Sequence, residues 1–401
     1  MPTFFPASLT LLVIVVLAVP LFFAMRVVQP AWWRSTRARR LALGLLGALV
    51  AGVLVWVGGR AAGLESIVWV GAGVAYVGVL TFFPASLTMP VVAAADRLVA
   101  RRGAPPNALS RRALFALPAL TAATSASGFA SAEAAPIVRH IPLRFAGLHP
   151  DLEGLRILQL SDVHLGAGRG LVELRRALAD AMITARPDLI VLTGDLADDP
   201  SLIPAALRMV TEANARYGAY ACLGNHEYHH ITESRPAYEQ SDVPLLVGSG
   251  RSVRVGRATL YVGGADDPVH MRGDLASRLR PTVRAAAKGA PAHADFRLLL
   301  SHRPEGHGPA AEEGFDLTLA GHTHGGQLGF LGKSFFELLD ATVGWWGAYA
   351  KPGKRGRTSR LYTTSGFGHW FGFRLGCPAE IPILVLEREE AGAQPARSDQ
   401  A

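Results

Sequence analysis

Five short apolar stretches of this chain each end in side chains that can bind a metal. They read LRILQLSDVH, DLIVLTGD, YACLGNHE, FRLLLSH and LTLAGHTH. Their polar ends supply Asp162, His164, Asp195, Asn225, His226, His302, His322 and His324. Carboxylate, amide and imidazole groups without a thiolate suit Mn, Fe, Zn or Co better than Ca. The pattern therefore predicts a divalent metal site.

These donors are more than one ion needs. Four protein ligands saturate a tetrahedral metal, whereas the five stretches offer eight polar side chains. Two ions about 3.5–4 Å apart that share a carboxylate would use them, and such a pair clamps a phosphoryl group and activates water at neutral pH. Phosphoester hydrolysis is the chemistry that this donor set favours.

The last stretch places His322 and His324 one residue apart on a turn rich in glycine. In an extended turn, residues two apart point to the same side, so we expect both imidazoles to reach one bimetallic site, one at each ion. Gly321, Gly325 and Gly326 would let the backbone bend sharply beside the ions without Cβ clashes.

Each stretch alone has an ordinary structural explanation. SDVH can cap a helix through its Ser or Asp side chain, for example. Five such stretches in this order, each after an apolar run, make a structural coincidence a poor explanation. The nearby His229, His230 and His307 suit surface or supporting positions, and Asp198 either orients a ligand or lies in a solvated loop.

The elements that position these donors follow from the same pattern. Short continuous apolar runs predict strands that are buried on both faces. Helical patterns around residues 170–185 and 202–216 lie between them, which predicts an α/β sheet covered by helices. Ligands bind at the carboxyl ends of strands in such sheets. All the donors are therefore expected at one edge of the sheet.

The N-terminal third has a different composition. Uncharged apolar runs at about residues 7–25, 41–59 and 66–83 are each about long enough to cross a bilayer. They predict a transmembrane region over residues 1–108, with a fourth span if the run in 109–136 also crosses. The first 136 residues hold 11 arginines, no lysine and three acids, so they carry the whole net charge of +8. This placement favours membrane topology over nucleic-acid binding.

Arginine placement also predicts the orientation in the cytoplasmic membrane. The arginines between the first two runs and after the third are expected to be cytoplasmic. Residues 109–136 contain Arg111 and Arg112, a weakly apolar run and small-residue triplets, which resemble a twin-arginine export signal. A cytoplasmic linker is the alternative. Export would place a domain at 137–390 outside the cytoplasm, followed by a disordered tail at 391–401.

The motifs together resemble the signature of the calcineurin-like metallophosphoesterases. The resemblance rests on SDVH, TGD, GNHE, LSHRPE and AGHTHGG over residues 155–330. It continues more loosely to about residue 388 and is closest to bacterial members that are membrane-attached or exported. It implies a two-sheet α/β sandwich, covered by helices, with two divalent metal ions at one edge.

The resemblance also implies a role for each motif residue. One metal would be held by Asp162, His164 and His324, and the other by Asn225, His302 and His322. Asp195 would bridge the two ions. His226 would meet the leaving oxygen of the substrate as a cation or general acid.

The function expected from the whole sequence is a membrane-anchored binuclear phosphoesterase. Its substrate would be a small or lipid-linked phosphodiester or phosphomonoester at the envelope, and the lipid bilayer is its expected partner. Residues 137–401 hold 29 basic and 29 acidic side chains, so no track for nucleic acid is expected. The alternatives are a UDP-diacylglucosamine-type pyrophosphate hydrolase at the cytoplasmic face and a non-catalytic membrane scaffold with a metal-binding fold.

Two surface features are candidates for contact with a substrate head group or a membrane. The first is the basic stretch KPGKRGR at residues 351–357. The second comprises the aromatic stretches VGWWGAY and GHWFGF at residues 343–349 and 368–373, which core packing would explain equally well.

Overall fold

The computed structural model describes residues 126–269, 274–369 and 372–389 without interruption, and scattered residues between 34 and 124. The apolar runs at 7–25 and 66–83 and the tail at 391–401 lie outside the described residues, as do most of 41–59 and 109–125. None of the helices within the described part is long and apolar enough to cross a bilayer. Contacts divide the chain into Met1–Ser127 and Gly128–Ala401, and the second unit contains the motifs.

The second unit contains two large sheets, as expected. The first has the strand order β1-β13-β2-β3-β4. Its strands are β1 (Ile137–Phe145), β2 (Arg156–Leu160), β3 (Leu189–Thr193), β4 (Ala219–Cys222) and β13 (Glu380–Arg388). Strands β2, β3 and β4 run parallel to one another, and β13 joins β2 in the antiparallel sense.

The second sheet has the strand order β11-β12-β8-β7-β6-β5. Its strands are β5 (Ser249–Val255), β6 (Ala258–Gly264), β7 (Phe296–Leu300), β8 (Leu317–Ala320), β11 (Gly347–Pro352) and β12 (Thr358–Thr363). Strands β6, β7, β8 and β12 are parallel. A small antiparallel pair, β9 (Gly329–Phe330) and β10 (Lys333–Ser334), stands apart from both sheets.

Helices cover the outer faces of both sheets. The helices that do so are α1 (Leu171–Thr184), α2 (Ile203–Glu212), α4 (Ile231–Glu239), α5 (Leu275–Lys288) and α6 (His307–Glu313). The short helix α3 (Asn225–His229) follows β4 at the edge that carries the motifs. Apolar side chains of α1, α2 and α4 pack with β2 and β3, and those of α5 and α6 pack with β6 and β7. The helices predicted around 170–185 and 202–216 are confirmed as α1 and α2.

The two sheets share a core between their inner faces. Ile157 and Val191 of the first sheet meet Leu298 and Leu319 of the second in one buried cluster. Each fully buried aliphatic side chain stabilises the fold by about 1.5–3 kcal/mol relative to exposure. The alternate residues of β2 and β3 pack against helices instead, which is why these strands read as continuous apolar runs.

The parallel strands bring the polar motifs to one edge of the sandwich. The motif loops follow β2, β3, β4, β7 and β8 at their carboxyl ends, as the sequence predicts. Backbone hydrogen bonds tie the loops to one another: the amide of Asp162 donates to the Gly194 carbonyl, and that of Gly321 to the His302 carbonyl. These hydrogen bonds join the loops after β2 and β3 to each other, and likewise the loops after β7 and β8.

Residues 128–133 are helical and belong to the second unit, where they pack against residues later in the chain. The ring of Phe129 meets that of Phe373 edge to face at 5.4 Å. The buried Arg169 guanidinium donates hydrogen bonds of 2.8 Å and 2.7 Å to the carbonyls of Ala132 and Ala134. The small-residue triplets of the signal-like segment are thus held by Arg169.

Candidate metal centre

The loops after β2 and β8 bring three side chains to one point. Nε2 of His164 lies 3.1 Å from Nε2 of His324. Nε2 of His324 lies 3.4 Å from Oδ1 of Asp162. All three side chains are buried, and their ligand atoms lie within 4.8 Å of one another. This first group is suited to hold one cation.

A second group surrounds Nε2 of His302, which follows β7. This nitrogen lies 3.1 Å from Oδ1 of Asn225, 3.2 Å from Oδ2 of Asp195 and 3.2 Å from Nδ1 of His322. Nδ1 of His302 donates a 2.8 Å hydrogen bond to the Thr193 carbonyl, which orients Nε2 towards the other three atoms. One proton on Nε2 can serve only one of these atoms, whereas a metal ion takes electron pairs from all of them.

Asp195 stands between the two groups. Its Oδ2 atom lies 3.2 Å from Nε2 of His302 and 3.9 Å from Nε2 of His164. Its Oδ1 atom accepts a 2.9 Å hydrogen bond from the backbone amide of His226. The position of this carboxylate is the one that a ligand shared by two ions needs.

The electrostatics of the second group favour a cation. Although burial lowers the pKa of an imidazole, the Asp195 carboxylate and other acids raise the pKa of His302 to about 10. Burial alone would raise the pKa of Asp195, but His302 and two further imidazoles hold that pKa well below its usual value. The negative potential that recruits a proton to His302 would equally recruit a metal ion. The residues present therefore fit the two ions.

The turn that carries His322 and His324 differs from the expected one. Both residues have a left-handed backbone, with φ of 66° and 50°, so the expectation of an extended turn is wrong. The two rings nevertheless face different groups, His322 facing His302 and His324 facing His164, which is the division expected of one imidazole at each ion. Gly321 allows this close approach because a Cβ there would overlap the carboxylate of Asp162.

Asp198 links two imidazoles of the site. Its Oδ2 atom accepts a 3.1 Å hydrogen bond from Nδ1 of His164, and its Oδ1 atom accepts a very short one from Nδ1 of His226. The sequence left open whether this acid orients a ligand, and the structure places it directly against His164. The His226 side chain is 27% exposed, so it reaches both this carboxylate and the solvent.

Glu227 has a role that sequence reasoning missed. This carboxylate is fully buried and accepts hydrogen bonds from the backbone amides of Asp195, Leu196 and Gly224, at 2.9, 2.7 and 2.8 Å. It therefore fixes the loops after β3 and β4 relative to each other. The signal available in the sequence was an acid directly after Asn225 and His226 at a strand end.

A buried ion pair borders the second group and was also missed. Nε of Arg303 lies 2.7 Å from Oδ2 of Asp267, and both side chains are buried. Nη1 of Arg303 lies 2.7 Å from Nε2 of His322, and Nη2 lies 3.3 Å from Oδ1 of Asn225. Through Arg303, the ion pair thus contacts His322 and Asn225, which both belong to the second group.

The remaining candidates lie away from the two groups. His229 and His230 are exposed, although the ring of His229 lies 5.1 Å from that of His226. His307 is buried in α6, where Nε2 donates a 3.2 Å hydrogen bond to the Ser359 carbonyl.

The basic stretch 351–357 lies at the opposite edge of the sandwich. It connects β11 to the amino end of β12, and β12 runs parallel to β8, whose carboxyl end carries His322. Arg357 in this stretch pairs with Asp316. Of the aromatic candidates, Trp346 is buried and donates to Glu380, whereas Trp370 and Phe371 lie outside the described residues.

Comparison with known proteins agrees with this geometry. The sequence profile of the calcineurin-like phosphoesterases matches residues 155–326. Phosphodiesterase YaeI of Escherichia coli is 32% identical over 290 residues, which cover 69% of this chain and 99% of that protein. The chain belongs to the calcineurin-like phosphoesterase family. It is therefore a metal-dependent phosphoric ester hydrolase, and this family uses two divalent metal ions.

Two other calcineurin-like phosphoesterases are similar to this chain. An uncharacterized metallophosphoesterase of Campylobacter jejuni is 29% identical over 261 residues, 63% of each chain. A transmembrane protein with metallophosphoesterase domain of Danio rerio is 28% identical over 289 residues, 67% of this chain and 61% of that protein. The chain thus spans less than two thirds of the length of these two relatives.

Proposed function

We propose that this chain is a membrane-anchored phosphodiesterase with a binuclear metal site. The observation that carries the proposal is the position of Asp195 between two groups of ligand atoms at one sheet edge. One ion would be held by Asp162, His164 and His324, and the other by Asn225, His302 and His322, with Asp195 touching both. When bound, such ions polarise the phosphoryl oxygens and lower the pKa of water. The name of the E. coli relative supports a diester substrate.

His226 supplies the proton in this proposal. Burial lowers the pKa of its imidazole, but the hydrogen bond to Asp198 and the charge of Asp195 raise that pKa to about 9. This shift favours the protonated ring at neutral pH. Nε2 lies 3.9 Å from Oδ2 of Asp195 and is free of the Asp198 contact, which uses Nδ1. A leaving oxygen beside Asp195 would receive its proton from this atom.

The membrane anchor and the substrate class rest on the N-terminal sequence. Three uncharged runs of bilayer length precede the second unit, which contains the candidate metal centre and is called the catalytic unit from here on. The Danio rerio relative is named a transmembrane protein. An anchored site meets lipid-linked phosphoesters at a high effective concentration. The signal-like segment at 109–136 supports an extracytoplasmic catalytic unit.

The catalytic proposal is tested with the full chain purified in detergent. We expect bound divalent metal by elemental analysis, and hydrolysis of bis(p-nitrophenyl) phosphate with Mn²⁺ that exceeds hydrolysis of p-nitrophenyl phosphate. Asp195→Asn should lose both metal and activity, whereas the exposed Asp180→Asn on α1 should retain them. Full turnover in Asp195→Asn would refute the proposed site.

The location is tested separately. A reporter that is active only in the periplasm, fused after residue 136, should be active in cells. A silent fusion at this point, with an active cytoplasmic reporter in its place, would assign the catalytic unit to the cytoplasmic face.

A further inference from the structure

A cluster of exposed apolar side chains projects from the catalytic unit at residues 329–339, here called the apolar hairpin. It comprises β9, β10 and the turn Phe335–Leu338 that follows. Its exposed side chains are Phe330 (66%), Leu331 (82%), Phe335 (47%), Leu338 (84%) and Leu339 (80%). Several large exposed apolar side chains within one short segment are typical of a contact site.

The concentration of these side chains is specific to the hairpin. In the rest of residues 128–389 that the structure describes, the exposed large apolar side chains are Ile137, Val172 and Ile183, which are separated along the chain. The hairpin contains only two charged residues, Lys333 and Glu337. Glu337 accepts a very close hydrogen bond from the hydroxyl of Tyr349. The outer surface is therefore apolar and almost without charge.

The hairpin is attached directly to the metal centre. The chain runs from His324 through Gly325 and Gly326 into β9. Oγ of Ser334 donates a 2.7 Å hydrogen bond to the Gly325 carbonyl. The ring of Phe336 packs so closely on Gly326 that a Cβ there would overlap it. The hairpin and one of the candidate metal ligands thus belong to one packed loop.

We propose that the apolar hairpin inserts into the surface of a lipid bilayer and thereby presents the metal centre to phosphoesters of that bilayer. This inference rests on the membrane anchor of the proposed function for the insertion and on its phosphodiesterase activity for the substrate. Aromatic and leucine side chains with little charge suit the boundary between head groups and acyl chains. The uncharged runs at 7–25, 41–59 and 66–83 predict that the chain is anchored in a membrane. A bilayer is therefore the apolar partner that we expect for the hairpin.

The insertion is tested on the full chain reconstituted into phosphatidylcholine vesicles. Leu338→Cys is labelled with the fluorophore NBD, with Ile183→Cys on α1 as the matched exposed apolar control. The native Cys222 and Cys377 are buried and should not react in the folded protein. We expect spin-labelled phosphatidylcholine to quench the probe at 338 and iodide to leave it unchanged. The probe at 183 should show the reverse.

Two results would overturn the inference. Iodide quenching at 338 as strong as at 183 would show that the hairpin lies in water. Protection of the probe at 338 from both quenchers would show that protein covers it, either a second copy of the chain or its own N-terminal part.

A second measurement separates this inference from the proposed function. Leu338→Glu combined with Leu339→Glu should lower the ratio of hydrolysis of a lipid phosphodiester in vesicles to that of bis(p-nitrophenyl) phosphate by about tenfold. Ile183→Glu should leave this ratio unchanged, and an unchanged ratio in the double variant would count against insertion. Lipid quenching at 338 in a protein that hydrolyses neither ester would refute the proposed function and support the insertion.

Discussion

Asp198 and His226 form a hydrogen-bonded pair at the accessible side of the metal centre, in which Oδ1 of the carboxylate accepts from Nδ1 of the imidazole. Because the pair engages Nδ1, Nε2 is the ring nitrogen of His226 left to meet a substrate in the proposed reaction. It also fixes the charge of the ring, because the carboxylate contributes to raising the pKa of His226 to about 9.

Replacement of Asp198 by Asn should therefore change the pH profile as well as the rate. The pKa of His226 falls without the carboxylate, so the alkaline limb of kcat should move to lower pH. The same change removes the hydrogen-bond partner of His164, and loss of such a partner costs about 10–100-fold in activity or metal affinity. The check is kcat against pH with saturating Mn²⁺. The exposed Asp199→Asn is the control, and an unmoved alkaline limb would contradict this role.

Replacement of His226 by Ala should slow the reaction without removing metal. General acid catalysis contributes about 10²–10⁴-fold, most for a poor leaving group. The loss in kcat should therefore be larger for an alkyl phosphodiester than for a nitrophenyl one. His229→Ala, a neighbouring ring at 5.1 Å, is the control. Equal losses for the two leaving groups would argue for a purely electrostatic role.

Replacement of Glu227 by Gln should destabilise the fold around the centre. The amide cannot reproduce three hydrogen bonds from backbone amides to a carboxylate, and the expected loss is about 2–4 kcal/mol. Thermal unfolding in detergent measures it, with Glu233→Gln on the exposed side of α4 as the control. Identical unfolding curves for the two variants would show that Glu227 does not organise these loops.

The stability of the catalytic unit should fall with acid because of His307. Burial and the neighbouring charge of Lys351 lower the pKa of this imidazole from 6.5 to about 4. As the pH falls below 6.5, the unfolded chain binds the proton and the folded chain does not, so stability is lost down to about pH 4. The wild type should lose on the order of 3 kcal/mol more than His307→Gln between pH 7 and 4. Parallel pH dependences would contradict this, and the exposed His293→Gln is the control.

The sequence predicted the position of a metal-ligand candidate wherever one short stretch contains both the strand and the ligand side chain. Asp162, Asp195 and His302 each follow their own apolar run, so their convergence could be predicted from strand ends alone. Glu227 could not be assigned from the sequence because its partner, the backbone amide of Asp195, lies 32 residues away. The two groups come together only when the loops after β3 and β4 fold side by side. Arg303 likewise depends on Asp267, 36 residues distant.

The same limit applies to the fold. The central position of β2 follows from its apolar run, but the pairing of β1 with β13 joins residue 137 to residue 380. Nothing local in either strand identifies the other. The left-handed turn at His322 was also missed, because alternation along the sequence suggested an extended chain.

The hydrogen bonds from Arg169 to the carbonyls of Ala132 and Ala134 bear on whether the chain can be cleaved after it has folded. A peptidase binds its substrate as an extended strand, whereas residues 128–133 are helical in the folded second unit. If the segment serves as an export signal, we infer that any scission at the small-residue triplets has to precede the docking of Arg169. A chain that folds before such scission would then keep its N-terminal third.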